Sequence, residues 1–395
     1  MNTNIENLYR IAGKQQRTII GLMSGTSFDG LDVALCRFEG SGVNTKVEVL
    51  HFITKEYEAA FKEDLKSIFA KRNADLERIT LLNAYIGTYY AELILQCLEE
   101  WNIPVADVDA VASHGQTIFH APKRLHQIEK YGNATLQIGD ADHVAVKTGI
   151  ITLSDFRQKH IAAGGEGAPL ALYGDYLLFG SLSENRIMLN VGGIANFTYL
   201  PAGYAPGCFS TDVGPGNTLM DQFIQQQFPG KYYDKNAEVA STGKVNDVLL
   251  KALLDDPFFA APFPKTTGPE LFSLVYLEKA IQASGQTNVS KEDIMATLAK
   301  FSAQSIIAAI ESAVSGVDKF EIYISGGGMY NPLLVNYIES HFNIKLKSTT
   351  DLGINPDAKE AVLFALLANE ALAGGKTHYG GDLLSVSMGK VSFAK

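Results

Sequence analysis

The order strand, glycine-bearing turn, strand occurs twice in this chain, and no other feature restricts the fold as much. It is seen first in RTIIGLMS, GTSFDG and LDVALCRF (17–38), then in RIMLNVGGIANFTYL (186–200). Short apolar runs split by turn residues make hairpins. After the first hairpin, KVEVLHFI (46–53) supplies a third strand, 56–101 reads as helix, VDAVASHG (108–115) as a buried strand, and a further helix leads to ITLSDF ending at Phe156. After the second, helical stretches alternate with the buried strand FEIYIS (320–325), followed by GGGMYNP, the strand IKLKST (344–349) and a helix over about 357–372. A hairpin feeding α/β alternation, twice over and with no low-complexity linker, predicts an α/β protein of two similar halves packed across a cleft. The repeat is one of order and not of letters. The boundary is expected after Phe156, giving domains 1–156 and 157–395, with the last helix able to pack back on the first.

Composition narrows the function classes. The 395 residues carry 33 Lys+Arg against 43 Asp+Glu, a formal charge of −10, with no basic cluster, which argues against a nucleic-acid partner. At 46% hydrophobic and 19% charged, the chain has enough apolar surface to build cores. Cys36, Cys97 and Cys208 are too far apart for a CxxC site and read as buried small hydrophobes. No HExxH pair or close Cys/His cluster suggests structural zinc. A basic leader ahead of an apolar stretch is missing, as is any run of about 18 unbroken apolar residues, so a cytoplasmic protein without membrane contact is expected.

Three glycine-rich turns follow strands. GLMSGTSFDG places Ser24, Gly25, Thr26, Ser27, Asp29 and Gly30 in one turn, where small residues let backbone N–H groups approach an anion and hydroxyls add donors. Asp29 could hold Mg²⁺ there, a hard cation that travels with phosphate. A plain hairpin turn explains the same residues. LNVGGIAN and TDVGPGN form a second group, with Asn190, Gly192, Gly193, Asp212 and Asn217, and ISGGGMYNP a third. A nucleotide at the carboxyl ends of strands fits this distribution, although no Walker A pattern occurs.

GLMSGTSFDGLDVAL, SHGQTIFH, LQIGDADHVAVKTGI, DFR with GGEGAPL, LNVGGIANFT, DVGPGNTLMD, PKTTGPE and ISGGGMYNP together resemble the anhydro-N-acetylmuramic acid kinases, in order, over 18–372. The resemblance implies the actin-like ATPase fold shared by sugar kinases and heat-shock chaperones: two RNase H-like domains with ATP in the cleft between them. It implies an enzyme that uses ATP and Mg²⁺ to open the 1,6-anhydro bond of anhydro-N-acetylmuramic acid with water and to phosphorylate the freed O6, in cell-wall recycling. On this chain the family's ATP-binding stretch falls on Gly25, Thr26, Ser27, Phe28, Asp29, Gly30, Leu31 and Asp32. Its second phosphate loop falls on Asn190, Gly192 and Gly193, and its nucleoside-side loop on Gly326, Gly327, Gly328 and Asn331. His114, Gln116, Asp212 and Asn217 are the implied sugar contacts.

One departure bears on the chemistry. After DFR the family has two variable residues and then an aspartate, the general base, ahead of GGQGAPL. This chain reads DFRQKHIAAGGEGAPL, so His160 stands for the aspartate and Glu166 for the glutamine. His160, Glu166 and Glu360 of DAKEA are the three candidates for the base, since a neutral imidazole or a carboxylate can take a proton from water. An exposed or capping histidine is the structural alternative for His160, and a satisfied buried histidine the one for His114. Asp155 and Arg157 are expected to pair and hold the loop. The rival functions are a non-catalytic or altered-specificity paralogue that binds ATP and a sugar, a kinase of ordinary free sugars, and a chaperone ATPase. The resemblance also allows a homodimer, for which the apolar 294–314 helix is a candidate face; a core helix explains that pattern equally well.

Overall fold

Strand β1 (Gln16–Ser24) is buried along nearly its whole length, and β2 (Gly30–Glu39) turns back on it through five residues, pairing Met23 with Asp32 and Gln16 with Glu39. A computed structural model describes residues 2–374 and 384–395. β3 (Lys46–Glu56) extends this meander, and β4 (Ala110–Ala121) joins β1 in parallel on the other side. β5 (Ala134–Ile138) folds back on the far end of β4, and β6 (Thr152–Ser154) runs parallel to its start. The sheet order is β12-β6-β4-β1-β2-β3, closed by the short β12 (Lys390–Ser392).

In the second half, β7 (Asn185–Val191), β8 (Ala195–Leu200) and β9 (Phe209–Gly214) form the meander, while β10 (Phe320–Ser325) and β11 (Lys347–Ser348) add in parallel beyond β7. Its order, β11-β10-β7-β8-β9, matches β6-β4-β1-β2-β3 strand for strand and direction for direction. A three-stranded antiparallel meander with two parallel strands added beside its first strand is the RNase H-like arrangement. The fold is α/β, with one such sheet in each half.

The chain divides into two compact units, Met1–Leu178 with Gly353–Lys395, and Phe179–Leu352. The first unit therefore runs past the expected boundary at Phe156. Phe156 is 1% exposed and its ring lies 5.5 Å from that of Phe364, so the helix Phe156–Ala162 belongs to this core. The helix Lys359–Ala373 packs on β1, where a Cβ at Gly21 would sit 1.9 Å from the Ala361 carbonyl oxygen. Buried side chains from β1, β2 and the helix Leu76–Glu100 fill the other face of the sheet.

The second unit has its own cores, and the helix Lys291–Ala313 runs through them with buried residues from Ile294 to Ile310. It is the one helix among the described residues that is long and apolar enough to cross a membrane, and 78% of its apolar window is buried in the protein. The stretch raised as a subunit face is thus a core element. Three strands were not expected: β5, whose sequence ATLQI is short and half polar, β9, which the glycine-rich DVGPGN disguises as loop, and the three-residue β12. All three cysteines are buried and free.

Candidate active site

In the first unit, the β1–β2 turn leaves Thr26, Ser27 and Asp29 exposed, while Phe28 and Leu31 are 4% and 0% exposed and belong to the core. Only the backbone of those two could meet a ligand. Gln116, at the end of the buried half of β4, secures the turn: its Oε1 accepts from Ser24 Oγ at 2.5 Å and its Nε2 donates to the Gly25 carbonyl at 3.2 Å. Tyr57 completes the support by donating to Ser24 Oγ at 2.8 Å. Gln116, expected at the sugar, is here a holder of the glycine turn. Gly30 is required by packing, since a Cβ would lie 2.4 Å from the Lys55 carbonyl oxygen.

Two carboxylates lie beyond the turn. Asp32 accepts from Thr54 Oγ1 at 2.6 Å, and burial raises its carboxyl, with Asp357 and Asp29 adding repulsion. Glu360, in the first turn of the Lys359–Ala373 helix, keeps solvent access while the surrounding protein removes much of its hydration. That desolvation raises its carboxyl; Lys359 and Arg157 oppose the shift and Asp32 adds to it. Lys359 itself pairs with the buried Asp175 at 2.7 Å.

The loop after DFR is held residue by residue. His160 is 8% exposed, and its Nδ1 accepts the Gly167 N–H at 2.9 Å. The Gly167 carbonyl accepts from Arg157 Nη1 at 2.7 Å, and Arg157 Nε donates to His114 Nε2 at 3.0 Å. Asn133 Nδ2 donates to the Gly165 carbonyl at 3.0 Å, and Glu166 pairs with Arg124 at 3.2 Å. His114 is wholly enclosed, with Phe364 at 4.6 Å; burial drives its pKa down to about 3, with Arg157 adding to the effect. Burial likewise lowers His160, again with Arg157 second. The expected pairing of Asp155 with Arg157 does not occur: Asp155 pairs with Lys390 at 2.7 Å. Arg157 does hold the loop, as expected, but through Gly167 and His114; Asn133 is the residue sequence reasoning missed.

In the second unit the glycine turns after β7, β9 and β10 are knitted together. The backbone N–H groups of Asn217 and Thr218 donate to the carbonyls of Gly192 and Gly193 at 2.9 and 3.0 Å, and Asn217 Nδ2 donates to the Val191 carbonyl at 3.2 Å. A Cβ at Gly216, Gly326 or Gly328 would lie 2.3 to 2.7 Å from these neighbouring turns, so packing alone demands those glycines. Asn190 Oδ1 is 3.5 Å from Ser325 Oγ. Asp212 accepts the Thr267 N–H at 2.9 Å, which docks PKTTGPE against β9. Asn331 caps the helix Pro332–Phe342, accepting from Leu333 and Leu334 N–H groups, and its carboxamide oxygen is spent there. Asp221, one turn beyond Asn217, was not singled out; burial pushes its carboxyl up to about 6.

Four other glycines behave differently. A Cβ at Gly25, Gly192, Gly193 or Gly327 would find its nearest neighbour 3.6 to 3.9 Å away, and none of the four has a positive φ. Neither packing nor backbone conformation calls for glycine at these sites.

A family model described as anhydro-N-acetylmuramic acid kinase matches residues 17–386. The chain belongs to this family. Curated anhydro-N-acetylmuramic acid kinases of Pseudoalteromonas atlantica and Pseudoalteromonas translucida are 55% and 52% identical to it, each over the full length of both chains. The enzyme of that name from Caldanaerobacter subterraneus subsp. tengcongensis is 38% identical over 98% of this chain and 100% of its own. As an anhydro-N-acetylmuramic acid kinase family member, the chain is a phosphotransferase.

Proposed function

We propose that the protein transfers the γ-phosphoryl group of ATP to O6 of anhydro-N-acetylmuramic acid while water opens the 1,6-anhydro bond, giving N-acetylmuramic acid 6-phosphate and ADP in the cytoplasm. The observation that carries the reading is the set of glycines at 25, 192, 193 and 327, small where neither fold nor backbone requires it. Exposed N–H groups on such turns suit phosphate oxygens. Among the described residues no group of three His, Cys, Asp or Glu is placed to hold a metal alone. Mg²⁺ carried by phosphates needs one or two protein carboxylates, and Asp29 in the exposed turn is the residue to hold it. The ion would neutralise charge developing on the transferred group.

The proton from water needs an acceptor. His160 Nδ1 already receives the Gly167 N–H, and Glu166 is paired with Arg124, which leaves Glu360 of the three candidates. Its raised carboxyl suits a base, because a carboxylate of higher pKa takes a proton more readily. In this mechanism Glu360 accepts the proton as the water oxygen bonds to the anomeric carbon. The C–O6 bond breaks, and O6 bonds to phosphorus as ADP leaves.

Purified protein with ATP, Mg²⁺ and the anhydrosugar should release ADP and yield a sugar product heavier by one water and one phosphoryl group. Glu360→Gln should retain ATP binding and lose about 10²-fold or more in kcat. Sugar binding without ADP release would support the non-catalytic or altered-specificity alternative. Phosphorylation of the hydrolysed sugar but not the anhydro form would mean an ordinary sugar kinase.

A further inference from the structure

We propose that His160 is a positioning residue: as a neutral acceptor it clamps the GGEG loop onto Arg157. It does not take the proton from water. The kinase reading above supplies the activity test only; the geometry stands without it.

The last turn of the Phe156–Ala162 helix directs His160 inward, where its ring meets Tyr173 edge to face at 5.7 Å and 87°. Gly165 makes room for it: a Cβ there would lie 2.1 Å from His160 Cε1 and 2.3 Å from Nδ1. The ring and the loop therefore occupy one shape, and glycine at 165 is part of the fit.

The hydrogen bonds then run in one sense. The Gly167 N–H donates to His160, the Gly167 carbonyl accepts from Arg157, and Arg157 donates to His114. Both imidazoles act as acceptors, so the arrangement exists only while both are neutral. Protonating His160 at Nδ1 would set two donors face to face at Gly167 and place a second cation near Arg157. With Asn133 on the Gly165 carbonyl and Arg124 on Glu166, three successive loop residues are anchored, and two loop N–H groups end on His160: that of Gly167 on the ring and that of Gly165 on the carbonyl at 3.0 Å. A lone pair engaged in this way is not offered to water. The consequence is a fixed Arg157 whose guanidinium lies close enough to Glu360 to oppose the rise in its pKa.

The test compares His160→Asn, whose Oδ1 replaces Nδ1 as acceptor without being basic, with His160→Ala and Gly165→Ala. In the wild type, ¹⁵N spectra of the full chain should show the His160 ring protonated at Nε2 with Nδ1 as acceptor. The Gly167 amide should be protected from exchange there and in His160→Asn, and exposed in His160→Ala and Gly165→Ala. In the ADP-release assay His160→Asn should keep kcat within about threefold, whereas His160→Ala should raise KM more than it lowers kcat. The proposal is overturned by an Nδ1–H tautomer in the wild type. It is equally overturned if His160→Asn, with Gly167 still protected and KM unchanged, loses about 10²-fold or more in kcat, the signature of a missing base. If the wild type releases no ADP, the kinase reading fails while tautomer and exchange still decide this one.

Discussion

His114 shows how much one side chain can commit a protein to a pH range. Its imidazole is enclosed, accepts from Arg157, and has a pKa driven down to about 3, against about 6.5 in an unfolded chain. Below about pH 6.5 the unfolded chain takes up a proton that the folded chain refuses, so stability is full above that pH and is lost as pH falls towards 3. The loss approaches about 1.4 kcal/mol per pH unit for this group. In His114→Gln an amide oxygen can replace Nε2 as acceptor and no proton is taken up. Urea melts from pH 7 to 5 should show a shallower decline for the variant than for the wild type, and parallel declines would remove His114 from the account. At this scale the sequence was legible in part. SHGQT, DFR and the glycine turns were visible as motifs, because turn chemistry is local. What His114, Gln116 and His160 do was not, because their partners are Arg157, the Ser24 turn and the backbone of a glycine seven residues on, and no spacing rule reports such bonds.

The β1–β2 hairpin separates the roles of two glycines only four residues apart. Gly21 is a packing glycine: an added methyl would meet the Ala361 backbone carbonyl of the Lys359–Ala373 helix, which cannot swing aside as a long side chain could. Gly21→Ala should lower stability by about 3 kcal/mol, the upper range for overpacking, seen as a fall in the urea midpoint at unchanged slope. Gly25 has room for the methyl, its nearest neighbour being Ser27 Oγ at 3.7 Å. Gly25→Ala should therefore leave the urea midpoint within about 0.5 kcal/mol of the wild type. Its ATP KM should rise about tenfold or more, as a lost close approach of backbone to phosphate requires. Equal effects on stability at both positions would refute the argument. Strand order in both halves was readable because hairpins and buried runs are patterns of neighbours. β5 and β9 were missed because their identity is set by pairing with β4 and β8, not by their own letters.

For the molecule as a whole, the chain's path decides which piece can fold alone. Phe179–Leu352 is one continuous segment with its own apolar cores, whereas the first unit is completed only by Gly353–Lys395. That returning segment is no ornament to the first sheet. Its helix covers β1, and its Asn369 accepts from the buried Arg17 at 2.8 Å. Its Glu370 accepts the Gly42 N–H at 2.9 and 3.0 Å. Deleting it would leave Arg17 Nε and the Gly42 N–H without partners and the apolar side of β1 open to water, penalties of about 1–3 kcal/mol for each donor before the lost apolar burial is counted. A fragment of residues 179–352 should unfold in urea as a single cooperative transition with helical circular dichroism, and a fragment of 1–178 should not. Joining 353–395 to the latter through a short flexible linker should restore the transition, because that helix supplies the missing wall of the core. A cooperative 1–178 fragment would show instead that the Lys359–Ala373 helix is placed for chemistry, bringing Glu360 to its position, and that β1 is stable without it.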